Sequence, residues 1–270
     1  MANFTTHIAS GIIAGGVLST LAMASAAVTP AEVISLTATC ALGAVLPDVD
    51  LQKSRASQAF FSGLGIFIAF SILFKSAMAL SLAEMWILWV GTYLVVRYVG
   101  HNLFHRYAMH RGVFHSILAA LFFACVTAIV HSHVFGASDT LAWLAAAFML
   151  VGYVLHLVLD EVYSVDVMNE RVKASFGTAL KLWDSHHPMG SIMMAGAVVA
   201  AFLVAPPAMR FVDIMARPST WTALSDRLLP HGDWFNVHLA RGPETRGGPI
   251  EAGEQVTAPA GEGAGAAAPQ

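Results

Sequence analysis

Long apolar stretches separated by short polar ones run from the N-terminus to about residue 207. They lie near 8–28, 31–47, 59–80, 82–100, 113–134, 140–160 and 190–207. A helix needs roughly 20 apolar residues to cross a bilayer, so these stretches predict about seven spans, the second a short one. Pro30 separates the first two as a tight turn. Residues 161–188 read as a polar loop. Beyond about 210, Pro, Gly, Ala and scattered charge take over. Segment 211–239 reads as weakly structured and amphipathic, with Trp221 and Trp234 at the interface, and 240–270 as disordered. The expected architecture is all-α: a polytopic helical membrane protein with a membrane-embedded domain over 1–210 and a weakly structured to disordered C-terminal tail over 211–270.

Composition agrees. Of 270 residues, 57% are hydrophobic and 11% charged, against roughly a quarter charged in soluble domains. A net charge of -3 gives no nucleic-acid footprint. Cys40 and Cys125 sit in separate apolar runs outside any C-x-x-C motif, which predicts buried free thiols. Ala24-Ser25-Ala26 resembles a signal-peptidase site, but a signal peptide needs a positive n-region and the first lysine or arginine is Lys53. The first apolar run is therefore expected to be a retained span.

Threading the spans alternately brings His7, Asp48, Asp50, His101, His105, His110, His115, His156, Asp160, His186 and His187 to one side. His131 and His133 fall on the other, and His231 and His238 in the tail. Hydropathy alone does not demand such one-sidedness, so these residues are expected to form one site. The same side carries Lys53, Arg55, Arg97, Arg106, Arg111, Arg171, Lys173 and Lys181, whereas the short loops opposite carry only Lys75 before Arg210 and Arg217. The positive-inside rule then puts the site at the cytoplasmic face and the tail in the periplasm.

Three segments carry the chemistry. Leu46-Pro47-Asp48-Val49-Asp50 ends the second span: proline breaks the helix, and two neighbouring carboxylates want a cation or a proton between them. His110-Arg111-Gly112-x-x-His115-Ser116 opens the fifth, where Gly112 admits close backbone approach, Arg111 can grip an anion with two hydrogen bonds, and the first turn favours negative charge. His156-Leu157-Val158-Leu159-Asp160 ends the sixth with imidazole and carboxylate on one helix face, a costly pair at a membrane helix end unless hydrogen-bonded or metal-bound. His101 and His105 form a similar i, i+4 stripe.

Thr6-His7, Leu46-Pro47-Asp48-x-Asp50, His110-Arg111-Gly112-x-x-His115-Ser116 and Gly152-Tyr153-x-x-His156-x-x-x-Asp160, in that order, resemble the YdjM-like family of bacterial inner-membrane proteins, described as membrane-bound metal-dependent hydrolases. This chain has Leu51 where the family often has histidine, and Tyr163-Ser164-Val165-Asp166 where it often has Thr-Pro-x-Gly. The resemblance implies a hydrolase of the bacterial inner membrane. The expected ligands of a divalent metal, zinc for preference, are His7, Asp48, Asp50, His115, His156 and Asp160; mixed nitrogen and oxygen donors also suit manganese or iron. Arg111 is expected to stabilise developing negative charge and His110 to act as general acid or base, with Ser116 beside them. Location at the lipid boundary points to a lipid or lipid-linked phosphoester substrate. Two other classes compete. A di-iron membrane oxygenase would use His101-x-x-x-His105 and His186-His187, and a metal or proton transporter would want ionisable residues at mid-span.

Overall fold

The computed structural model describes residues 3–25, 28–76, 80–107, 113–166, 171–172, 181 and 188–228. Polar residues at the loop edges start the helices. Asn3 accepts from the Thr6 amide to begin α1 (Phe4–Ala24). Glu32 reaches back to the Thr29 amide at the start of α2 (Pro30–Gly43), and Pro30 suits the first helical turn because its missing N–H would have no partner there. A 3-10 turn, Leu46–Asp50, follows, then α3 (Arg55–Ser76). Ser81 and Glu84 form a capping box for α4 (Leu82–Leu94), which continues through a π-helical turn, Val95–Gly100, into α5 (His101–Tyr107). Ser116 caps α6 (Ile117–His133) and Ser138 caps α7 (Asp139–Val162). Then come α8 (Pro188–Val204), α9 (Met209–Ala216) and α10 (Pro218–Leu228). Among the described residues the strands amount to one antiparallel pair, Val165–Asp166 with Arg171–Val172. The all-α membrane architecture holds.

The expected seven spans are not all found. Among the described residues, four helices are long and apolar enough to cross a membrane: Phe4–Ala24, Arg55–Phe74, Leu82–Arg106 and Asp139–Val162. A fifth arises if α8 and α9, bent by 89°, count as one span. The stretches at 31–47 and 113–134 fall short for a shared reason, since each gives residues to the turn that carries its Asp or His. Pro47 closes α2 after 14 residues, about 21 Å, and α6 begins only at Ile117 and runs 17 residues, about 26 Å. The fourth stretch is longer than expected, because the π-helical turn carries it on to Arg106.

Small residues let the bundle close. A methyl group on Gly11 would lie 2.7 Å from the Ala44 Cβ, and one on Gly15 would lie 2.9 Å from the Cys40 Cβ, so α1 and α2 touch almost backbone to backbone. The same holds where α2 crosses α7: methyls on Gly43 and Gly152 would overlap the carbonyls of Met149 and Cys40 respectively. Cys40 and Cys125 are buried free thiols, as expected. Leu46, Val49, Phe61, Ala119, Met149, Tyr153 and Leu157 form a core under the Asp48 turn. Leu36, Cys40, Leu144 and Phe148 form another toward the opposite end. Large apolar side chains such as Ile13, Trp86, Ile87 and Leu203 face outward, as lipid contact requires.

Described helices continue past residue 210. Phe211 of α9 packs into the core around Leu144 and Phe148, and α10 lies against α1, so the compact unit runs to Leu229. The weakly structured segment expected over 211–239 is helical as far as Leu228, because the apolar side of α9 has a partner. The tail over 240–270 lies outside the described residues.

Candidate metal centre

Four chain segments end at one place. His7 is one turn into α1, Asp48 lies in the 3-10 turn after α2, His115 directly precedes the cap of α6, and His156 and Asp160 occupy the last turns of α7. His156 stands six residues, about 9 Å, short of the end of α7, so the cluster is recessed between the helix ends. Burial matches: His156 is 0%, His7 1% and Asp160 4% exposed, and His115 and Asp48 are slightly more open.

The Nε2 atoms of His115 and His156 and one oxygen each of Asp48 and Asp160 form a compact set. His156 Nε2 is 3.7 Å from Asp48 Oδ1 and 3.6 Å from Asp160 Oδ2. His115 Nε2 is 3.8 Å and 3.9 Å from the same two oxygens. The other oxygen of Asp160 faces His7 Nε2 at 3.3 Å. The His7 ring stacks on that of His156 with centroids 3.8 Å apart.

These separations are informative. Hydrogen bonds close to about 2.7–3.2 Å, and none of the three buried Nε2 atoms makes one. Leaving such groups unsatisfied is expensive. Zinc bonds of about 2.0–2.1 Å instead put tetrahedral ligand atoms about 3.4 Å apart, a few tenths of an ångström below the edges seen here. Each carboxylate oxygen faces both nitrogens, and imidazole nitrogen with carboxylate oxygen is a donor chemistry that divalent cations accept. The donor set fits a divalent metal.

The imidazoles are prepared for that role. His156 Nδ1 lies 2.7 Å from the Ala44 carbonyl. A carbonyl only accepts, so Nδ1 carries the proton and the Nε2 lone pair faces the carboxylates, an outer-shell contact typical of metal-bound histidine. It also leaves His156 one nitrogen to offer. At His115, burial foremost and the neighbouring His156 next hold the pKa below the usual histidine range, against the opposing pull of Asp48 and Asp160. Burial thus disfavours the charged imidazolium, which suits a ligand.

The expected ligands His7, Asp48, His115, His156 and Asp160 thus meet, in two overlapping triads that share His156. Asp50 is in neither triad. Successive residues on a 3-10 turn project about 120° apart, so Asp48 and Asp50 leave the turn on different sides. Ser116, named beside the catalytic candidates, is occupied in the fold instead. Its hydroxyl donates to the Val113 carbonyl and accepts the Ala119 amide that starts α6. His110, Arg111, His186 and His187 lie outside the described residues. His101 and His105 also stand apart from both triads. Their Nε2 atoms are engaged with the Gln52 carbonyl at 3.2 Å and the Ser57 hydroxyl at 2.8 Å.

Sequence reasoning assigned no role to three supports. Gly152 lets the Ala44 region of α2 reach His156. The Ala44 carbonyl has no signature at all, since every residue has one. The Tyr153 hydroxyl donates to the Phe114 carbonyl and so holds the segment bearing His115 against α7; a tyrosine one turn before His156 was the available signal. Tyr153→Phe is expected to cost about 1–3 kcal/mol of stability and roughly tenfold in metal affinity. Zinc titration and thermal unfolding in detergent would read these, and unchanged zinc affinity would show that Tyr153 serves the fold alone.

A bundle of membrane-length helices with a buried histidine–aspartate cluster at one end defines a polytopic helical membrane class of protein, and the comparisons sharpen it. Residues 1–169 match the YdjM inner membrane protein family, more than half of the chain. The chain belongs to that family. Comparison with curated proteins and with solved structures finds no match.

Proposed function

We propose that this inner-membrane protein is a metal-dependent hydrolase acting on a lipid or lipid-linked phosphoester at the cytoplasmic face. The observation that carries the reading is the set of two imidazole nitrogens and two carboxylate oxygens at edges of 3.6–3.9 Å, too long for hydrogen bonds and close to ligand separations. Asp48, His115, His156 and Asp160 are the proposed ligands, with His7 beside Asp160 as a fifth donor. A bound divalent ion, zinc for preference, would lower the pKa of a water and polarise the scissile group. The Ala44 carbonyl fixes the tautomer of His156, and Tyr153 fixes the height of His115. Arg111 is the proposed partner of developing negative charge and His110 the proposed proton carrier.

Two features favour a lipidic substrate. The cluster is recessed from the end of a membrane-length helix, α7. An apolar groove of about 410 Å³ lies between α6, α7, α8 and α9, lined among others by Leu121, Cys125, Trp143, Leu150, Phe202 and Phe211. The di-iron alternative is weakened because His101 and His105 are engaged elsewhere. The transporter alternative is weakened because the described histidine–carboxylate triads gather at one helix end instead of along a path.

Purified protein is expected to carry stoichiometric zinc or another divalent ion and to release p-nitrophenolate from bis(p-nitrophenyl) phosphate in a chelator-sensitive manner. Absence of metal would overturn the reading. Orientation is tested separately: a reporter inserted near residue 175 should report the cytoplasm and one fused after 240 the periplasm. If both report one compartment, α8 and α9 form a re-entrant hairpin in place of a span.

A further inference from the structure

The histidines left over by the metal centre have a definite place in the fold. At the end of the continuous Leu82–Arg106 helix, His101 and His105 face the segment that follows the Asp48 turn, their rings 4.5 Å apart. His101 Nε2 donates to the Gln52 carbonyl at 3.2 Å. His105 Nε2 pairs with the Ser57 hydroxyl at 2.8 Å and the same ring faces the Asp50 backbone. Ser57 is tied inward in turn: its amide donates to Ser54 Oγ at 2.9 Å, and Ser54 Oγ donates to the Asp48 carbonyl at 2.8 Å. An unbroken set of hydrogen bonds thus joins His105 to the backbone of Asp48. Phe61 seals the pair with ring contacts to both histidines.

The five-residue turn contains Pro47 and is anchored in the core by Leu46 and Val49. Asp48 is the most exposed of the five clustered residues. Its carboxylate direction depends on the backbone of residues 48–57, and the polar tethers to that backbone from a neighbouring span come from His101 and His105. The π-helical turn Val95–Gly100 directly precedes them. Such a turn inserts one extra residue into the helix and so sets which way the following side chains point. Imidazole suits this place because it can donate to a backbone carbonyl at a membrane edge without carrying a permanent charge.

We propose that His101 and His105 are positioning residues that hold the Asp48 turn, and through it the Asp48 carboxylate, in place for metal binding. The inference rests on the metal reading above. Outer-shell partners of this kind change metal affinity by about 10–100-fold. Direct ligands cost far more.

The test is a double-mutant cycle in the full-length detergent-solubilised protein, read by zinc competition and by the visible ligand-field spectrum of the cobalt(II) form. His105→Ala and His101→Ala should each weaken zinc about 10–100-fold and shift the cobalt bands. His105→Gln, whose amide can reach the Ser57 hydroxyl, should recover most of the affinity. In an Asp48→Ala background the same histidine substitutions should cost almost nothing further, because the group they position is gone. Equal losses in both backgrounds would mean a general structural role and overturn the proposal, as would full affinity in His105→Ala. If the unsubstituted protein binds neither zinc nor cobalt, the metal reading falls and takes this inference with it. If it binds and Asp48→Ala weakens it while both histidine variants match wild type, only the positioning role fails.

Discussion

His156→Ala is expected to abolish stoichiometric zinc binding while the protein still inserts and purifies as a monodisperse species. Three features place it above every other substitution. Its Nε2 faces both Asp48 and Asp160, it is fully buried, and both described triads need it. Its removal takes away the nitrogen that faces both carboxylates. Asp160→Ala should behave the same way, since one oxygen meets His115 and His156 and the other meets His7. The loss should exceed by orders of magnitude the roughly 10–100-fold expected for an outer-shell partner. His133→Ala is the control. That side chain is exposed at the far end of α6, bonded to the Ile129 carbonyl of its own helix, and should bind metal normally. Full metal occupancy in both His156→Ala and Asp160→Ala would reduce the cluster to a buried polar network and remove the main support for hydrolase chemistry.

Gly152→Ala is the second large effect, and it acts through packing. A methyl at that position would overlap the Cys40 carbonyl and stand 3.0 Å from the Ala44 amide nitrogen, both backbone atoms of α2 and its cap. Backbone cannot swing aside as a side chain can, so α2 and α7 must separate. Overpacking of this kind costs about 1–3 kcal/mol. The separation would also lengthen the bond from His156 to the Ala44 carbonyl, so zinc affinity should fall with stability. Gly16→Ala has nothing within 4 Å of the added methyl and should be neutral or gain up to about 1 kcal/mol from helix propensity. Thermal unfolding of the three proteins in detergent, with zinc titration alongside, separates crowding from a generic glycine effect. A Gly152→Ala protein as stable as wild type would show that the close α2–α7 crossing is not needed.

What was legible in the sequence was the part set by local pattern. Apolar run length identified α1, α3, α4 and α7 as spans, because crossing a bilayer is a property of one segment at a time. Alternation of the seven expected segments predicted that His7, Asp48, His115, His156 and Asp160 share one end, and the i, i+4 spacing put His156 and Asp160 on one face. Only the tertiary structure decided which of them meet. Hydropathy cannot say that Pro47 closes α2 early or that Ser116 delays α6, so 31–47 and 113–134 looked long enough to cross. Nor can it tell Asp48 from Asp50, since facing the cluster depends on the rotation of a 3-10 turn. The Ala44 carbonyl and the tilt of the His101–His105 pair toward residues 50–57 depend on how closely glycine-lined helices approach and where a π-helical turn falls. Those are relations between segments, and no single segment encodes them.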